Sequence, residues 1–263
     1  MDRKRLLLLI PAVFCITIGV VWMAGDYVRK ERQAREYASL AEAVKVTEEE
    51  TSGEEISIAE PETTTEPETE AAYVSPIDFE ELWKINPDVV GWITIPDTKI
   101  DYPILQAEDN ETYLHTDIDG NDSVAGAIYL DFEDESDFSS LHNVIYGHHM
   151  KNGSMFKDVV KYKEQPYFDQ HSDIYIYTPD REIHLKALAA LYTTPDGIRR
   201  KTSFRSEEEF DAYVEQMTGK AITSAEPVNP VGKLYSLITC SYEFQDARTI
   251  LYAYEVDEPE IRK

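Results

Sequence analysis

Cys240 ends the apolar, β-branched run Leu234-Tyr-Ser-Leu-Ile-Thr-Cys240, and it is the only cysteine downstream of an apolar N-terminal segment. The other cysteine, Cys15, lies inside that segment, where it cannot meet Cys240. An unpaired thiol in an exported chain reads first as a nucleophile, because an oxidising compartment favours pairing; a buried core cysteine is the alternative. A free thiol ionises near pH 8.5, so a nucleophilic cysteine needs a base or a cation beside it.

His148 is the preferred base. It follows Asn143-Val-Ile-Tyr-Gly147, where an apolar strand runs into a glycine turn that can hold an imidazole over a groove. His149, its neighbour, should point elsewhere, and His115, His142, His171 and His184 sit in contexts that suit surface or structural roles. Arg248 is the candidate cation. If 234–239 and 249–256 are adjacent antiparallel strands, the loop 241–247 returns Arg248 beside Cys240, where a guanidinium can donate to a tetrahedral oxyanion. A surface ion pair of Arg248 with Asp246 or Glu243 is the competing reading. There is no HExxH, no Cys-x-x-Cys and no acidic calcium cage, so neither metal nor cofactor is expected.

The elements that must position these groups are mostly strands. Runs with β character span 90–95, 100–105, 127–130, 143–146, 174–177, 183–192, 234–239 and 249–256. Ser75-Pro76-Ile77-Asp78 reads as a helix start with a capping hydroxyl, and Asn86-Pro87 as its end. A short helix is expected over 154–162. A longer one follows Ser206, whose spacing to Glu209 is that of a capping box; Phe210, Tyr213, Val214 and Met217 share a face before Gly219. Many short strands with few helices predict a mainly β fold, a barrel.

Upstream, Leu6 to Ala24 is almost wholly apolar, near the ~20 residues that cross a bilayer as a helix. Its length exceeds a signal-peptide h-region of about 7–15 residues and no small-x-small site closes it, so an uncleaved anchor ranks above a signal peptide. The expected order is a cytoplasmic tail at 1–5, a transmembrane signal anchor at 6–25, a juxtamembrane helical segment at 26–46, an acidic disordered linker at 47–72 and one extracellular domain at 73–263. The linker is Glu, Thr, Ser and Pro with little that could form a core. A net charge of -26 would repel a phosphate backbone, so no nucleic-acid partner is expected.

The run Ser236-Leu-Ile-Thr-Cys240 resembles the sortase Thr-Leu-x-Thr-Cys signature. Tyr146-Gly-His148, Cys240-Ser-Tyr-Glu-Phe-Gln-Asp-Ala-Arg248 and Gly91-Trp-Ile-Thr-Ile-Pro-Asp-Thr-Lys-Ile-Asp-Tyr-Pro103 are similar to class B sortases. The resemblance implies an eight-stranded barrel with N-terminal helices and an extra helix before the cysteine strand, on a membrane-anchored cysteine transpeptidase of a Gram-positive bacterium. By motif, Cys240 attacks the threonine carbonyl of a C-terminal sorting signal to give a thioester, His148 exchanges protons with leaving and incoming amines, and Arg248 with the Ser241 N–H steadies the oxyanion. Asn110, Leu114, Tyr146 and Thr239 align with substrate-groove positions. Implied partners are surface proteins bearing a sorting signal, a peptidoglycan-precursor or pilin amine as acceptor, and the lipid bilayer. Two positions depart from the pattern: Ser236 replaces the first threonine, and Ile238 stands where some members carry a serine that bonds the sorting peptide. A hydrolytic cysteine endopeptidase and a non-catalytic, tethered wall-binding module are the competing functions.

Overall fold

The computed structural model describes residues 3–46, 73–195, 197–228 and 230–256, with side chains in the first stretch described from residue 17 onward. The expected linker at 47–72 lies outside the described residues. The chain divides into two compact units, the first ending at Leu40 and the second beginning at Ala41. Helix α1, Arg3–Ala43, supplies the described part of the first unit, its last three residues falling in the second, and carries the apolar run Leu6–Ala24 at its start. Among the described residues no helix is long and apolar enough to cross a membrane. The expected span therefore has no counterpart among them: much of the apolar run precedes the first described side chain, and from Asp26 onward the helix is rich in charge.

In the second unit the strands follow the expected runs closely. They are β1 Val89–Thr94, β2 Asp101–Leu105, β3 Ile128–Leu130, β4 His142–Tyr146, β5 Asp173–Tyr177, β6 Glu182–Thr193, β7 Thr223–Ser224, β8 Leu234–Cys240 and β9 Arg248–Glu255. Pairing runs β5-β1-β2-β3-β4-β8-β9-β6, and β6 pairs back onto β5, so eight strands close a barrel and β7 lies on β6 as a two-residue appendage. Closure leaves no free edge among the eight. Two of the pairings are parallel, β2 with β3 and β4 with β8. Trp92, Ile93, Ile104, Leu185, Leu237 and Leu251 are among the fully buried apolar side chains that these strands contribute.

Helix α2, Phe79–Ile85, precedes β1, and Asn86 terminates it as expected. Its cap is Asp78 rather than Ser75: the Asp78 carboxylate accepts from the Glu81 N–H, and the Ser75 hydroxyl instead accepts from the Ile77 N–H. A short turn, α3 Thr112–His115, follows β2. The segment expected to be helical at 154–162 is a 3-10 helix, Phe156–Lys163, succeeded by α4 Gln165–Gln170. Helix α5, Glu207–Thr218, has the expected Ser206 cap. Phe210, Tyr213, Val214 and Met217 bury its apolar face in a cluster with Leu234, Ile238, Ile250 and Tyr252 of β8 and β9. The strand that ends in Cys240 is thereby held between the barrel and α5, and six of its seven residues are buried.

Candidate active site

Two strand pairings assemble the site. In the antiparallel β8–β9 pair Cys240 is directly opposite Arg248, so both side chains leave the sheet on one face. In the parallel β4–β8 pair Tyr146 is in register with Ile238, and the Gly147 N–H donates to the Ile238 carbonyl at 3.1 Å. Two residues beyond that pair stand His148, just past the end of β4, and Cys240, the last residue of β8. A period of two returns Cys240 to the face of Ile238. All of these residues border one cleft of about 450 Å³.

Cys240 is a free, half-buried thiol. The reading of a sealed core cysteine therefore fails, since the residue opens into the cleft. His148 is fixed by its Nε2, 2.9 Å from the Leu114 carbonyl. A carbonyl only accepts, so Nε2 carries the hydrogen, and in the neutral ring Nδ1 keeps the lone pair. Arg248 makes no ion pair among the described residues; it donates from one guanidinium nitrogen to the carbonyls of Asp246, at 3.1 Å, and Ala247, at 3.2 Å. Glu243, the rejected partner, pairs with Lys163 instead. Asp246 sits at φ 60°, a left-handed turn that carries the loop back towards β9.

Ser241 differs from expectation. Its backbone N–H, expected to face an oxyanion, donates to the Ala247 carbonyl at 2.9 Å and continues the β8–β9 ladder by one step. Thr239 borders the cleft, but it is 2% exposed and its hydroxyl is buried without a hydrogen-bond partner among the described residues. Alternation along β8 explains this, because Thr239 must face the side opposite Cys240. The other groove candidates do line the cleft. Leu114 contributes its carbonyl to His148, whereas Asn110 and Tyr146 turn their polar ends to a group the sequence did not single out.

That group is Asp131, which follows β3 and is fully buried. It accepts from Asn110 Nδ2 at 3.0 Å, from the Tyr146 hydroxyl at 2.8 Å and from Arg200 Nε at 2.8 Å. Burial opposes its ionisation, but Arg200, the Glu133 N–H and the Tyr146 hydroxyl outweigh that and hold its pKa below the usual carboxylate range. Arg200 belongs to the 3-10 helix Gly197–Arg200, so one carboxylate ties three separate cleft walls together. The adjacent basic pair Arg199-Arg200 in an acidic chain was a visible hint; nothing marked Asp131 among 51 acidic residues.

His142, His184, His171 and His115 do not border the cleft. His142 lies within β4 rather than before it, fully buried, with Nε2 2.6 Å from the Ser236 hydroxyl and Nδ1 2.8 Å from the Lys201 carbonyl. Ser236 therefore keeps a hydroxyl for a reason: it satisfies a buried imidazole. His184 bonds Asp173 and stacks on Tyr175, His171 stacks on Tyr167, and exposed His115 approaches Glu111. No group of three or more potential metal ligands occurs among the described residues.

A thiol, an imidazole and a guanidinium on one cleft can carry out acyl transfer through a covalent thioester. The comparisons agree with that chemistry. A family model described as the sortase domain matches residues 93–256. Sortase B of Listeria monocytogenes is 34% identical over 167 residues, covering 63% of this chain and 68% of that protein. The crystal structure of Staphylococcus aureus sortase B superposes with a TM-score of 0.65 at 28% identity, over 70% of this chain and 89% of that one. Clostridium perfringens sortase B gives a TM-score of 0.64 at 27% identity, over 68% of this chain and all of that one. With the barrel, the cleft and these matches in agreement, the chain belongs to the sortase family, in its class B.

Proposed function

We propose that this transpeptidase cleaves a C-terminal sorting signal after threonine and transfers the acyl group to an amine of the cell wall or of another protein. The convergence of Cys240, His148 and Arg248 on one cleft through strand register carries this reading. Cys240 passes its thiol proton to the free Nδ1 of His148, and the thiolate attacks the threonine carbonyl carbon; the C–S bond forms, the electron pair moves to oxygen, and Arg248 donates to that oxygen. The tetrahedral adduct collapses, the C–N bond breaks, and His148 protonates the departing amine. An incoming amine then attacks the thioester, gives a proton to His148 and restores the thiolate. A solved sortase B complexed with triglycine supports an amine as the second substrate, and an S. aureus sortase B–substrate complex supports a substrate-binding cleft.

The acceptor is a peptidoglycan precursor or a pilin amine. The apolar run Leu6–Ala24 anchors the enzyme in the membrane with its catalytic domain outside. Membrane sedimentation of the full chain resistant to alkaline carbonate tests the anchor, and recovery in the soluble fraction would count against it. The catalytic reading is tested by mass spectrometry of the protein incubated with a panel of sorting-signal peptides. An acyl adduct on Cys240, absent from Cys240→Ala and discharged by an added amine, is expected. No adduct with any peptide would refute transpeptidation, and discharge at a rate indifferent to the amine would indicate hydrolysis.

A further inference from the structure

His149 takes no part in the chemistry above, yet both its ring nitrogens are engaged beside the nucleophile. Nδ1 lies 2.8 Å from the Cys240 carbonyl oxygen, and Nε2 meets the Lys157 ammonium at 2.5 Å. A carbonyl only accepts and an ammonium only donates, so the hydrogen is on Nδ1 and the ring is neutral. Burial keeps it so, reinforced by the charges of Lys157 and Lys163 and only partly opposed by the bond to Cys240, which together hold the His149 pKa below the ordinary imidazole range. Local chain geometry builds the contact. His149 forms an antiparallel bridge with Met155, and the Phe156 N–H donates to the His148 carbonyl at 3.0 Å, which brings Lys157 back alongside His149. On the other side, the Tyr242 ring packs against the imidazole at 4.9 Å.

The Cys240 carbonyl and the Ser241 N–H belong to one planar peptide unit and point in opposite directions. Because Cys240 and Arg248 are opposed at a position between two ladder steps, that carbonyl turns away from β9, towards the flank where β4 has already ended. A continued parallel ladder would supply a main-chain donor there. His149 supplies its side chain instead. Holding the carbonyl fixes the plane, and so keeps the Ser241 N–H aimed towards the β9 side, where Ala247 now accepts it.

We propose that His149 is a positioning residue for acyl transfer: with Lys157 setting its tautomer, it clamps the Cys240–Ser241 peptide so that the Ser241 N–H keeps its direction when it exchanges the Ala247 carbonyl for an oxyanion. This inference rests on the thioester chemistry proposed above. Preorganised donors of this kind are worth more than donors that must rotate into place during reaction.

Acylation by p-nitrophenyl acetate tests the clamp without any sorting motif: Cys240 attacks the ester carbonyl, the C–S bond forms and p-nitrophenolate leaves. In His149→Ala the burst rate constant should fall about tenfold, the scale of one aligned hydrogen bond. In His149→Asn it should return to within about threefold, because the amide Nδ2 occupies the place of the imidazole Nδ1 and can donate to the same carbonyl. Alkylation of Cys240 by iodoacetamide, which needs an accessible thiol but no oxyanion donor, should change by less than about twofold in either variant. The inference is overturned if His149→Ala acylates at the wild-type rate, if His149→Asn is as slow as His149→Ala, or if alkylation falls in parallel with acylation. A wild-type burst that persists in Cys240→Ala would instead overturn the thioester chemistry, and the clamp with it.

Discussion

Cys240 and Arg248 oppose each other across β8 and β9, the last residue of one strand facing the first residue of the next. Directly opposed residues carry their Cβ atoms about 4.5–5.5 Å apart, so whatever is bound to the sulfur comes within reach of the guanidinium. In the free protein Arg248 donates only to the carbonyls of its own loop, and no carboxylate neutralises it among the described residues.

Arg248→Ala should therefore lower kcat for thioester formation by about 10²–10³, the scale of removing one oxyanion donor, with a smaller effect on KM. Arg248→Lys should recover little, since a single ammonium cannot bond the loop carbonyls and the oxyanion as a planar fork does. Steady-state kinetics on both variants check this. A lysine variant near wild-type activity would reduce the role of Arg248 to that of a bare positive charge.

Gly147 is the hinge that delivers His148, and it has no room for a side chain. A Cβ there would collide with Ile128 Cδ1 and lie 2.7 Å from the Phe156 ring. The isoleucine methyl can move aside, but the ring is fully buried. Gly147→Ala should cost about 1–3 kcal/mol of stability by overpacking, and it should reduce kcat further because the displaced segment carries the imidazole. Urea denaturation together with kinetics would show this. Unchanged values of both would mean that the strand end yields freely.

The eight barrel strands were legible in the sequence because each is a short β-branched or aromatic run between turn residues, and α5 because its cap and its apolar spacing agree. Strand order was another matter. Neither the parallel partnership of β4 with β8 nor the pairing of β1 with β5 that helps close the barrel has a local signal, since both join segments far apart in the chain. That Cys240, His148 and Arg248 belong together was readable from residue type and motif, and the three border one cleft. The expectation that His149 points away from the site holds for its ring relative to the cleft; its bond to the Cys240 main chain depends on a turn geometry that residue types do not reveal. Asp131 was invisible for a similar reason, because its importance lies in burial and in three donors from three separate segments.

Ser236 and His142 form a buried pair whose stability should depend on pH. Burial pushes the His142 pKa down to about 4. In the unfolded chain the imidazole protonates near 6.5, so the unfolded state binds the proton first and stability is lost as pH falls from about 6.5 towards 4. Ser236→Ala removes the hydroxyl that serves Nε2 and should cost about 1–3 kcal/mol at pH 7 by leaving a buried acceptor unpaired. Chemical denaturation between pH 4 and pH 7 measures both effects. A His142→Phe variant should show a weaker loss of stability on acidification than the wild type.

Asp134 predicts the opposite slope. It is buried, one carboxyl oxygen accepts from the Val144 N–H at 2.7 Å, and the other has no hydrogen-bond partner among the described residues. Burial, aided by the nearby charges of Asp131 and Glu133 and opposed by the Val144 N–H, raises its pKa to about 8. The folded state therefore holds a proton that the unfolded state releases near 4, and this group withdraws stability as pH rises between those values. Asp134→Asn keeps the acceptor for Val144 and cannot ionise. It should stabilise the protein at pH 8 by roughly 1–2 kcal/mol, well under the ~1.4 kcal/mol per pKa unit that a full shift would allow, and by little at pH 4. Equal effects at both pH values would show that Asp134 does not titrate in this range.

Ser241 supplies the last prediction, because its N–H is already taken. In the free protein it donates to the Ala247 carbonyl, and Tyr242, Glu243 and Phe244 of the same loop contact His149, Lys163 and Tyr192. To serve an oxyanion this donor must exchange one acceptor for another, and the Ala247 carbonyl must withdraw while the Cys240 side of the peptide stays put. Hydrogen exchange resolved at single amides should therefore show Ser241 protected in the free enzyme. In a stable tetrahedral adduct on Cys240, such as that formed with a peptide aldehyde, Ser241 should stay protected by the new oxyanion, while exchange at Tyr242 to Asp246 quickens as the loop loosens. If the loop amides slow in step with Ser241, the loop closes over the adduct instead of opening. If Ser241 becomes freely exchanging in the adduct, the oxyanion depends on Arg248 without a main-chain partner, and Arg248→Ala should then abolish the burst altogether.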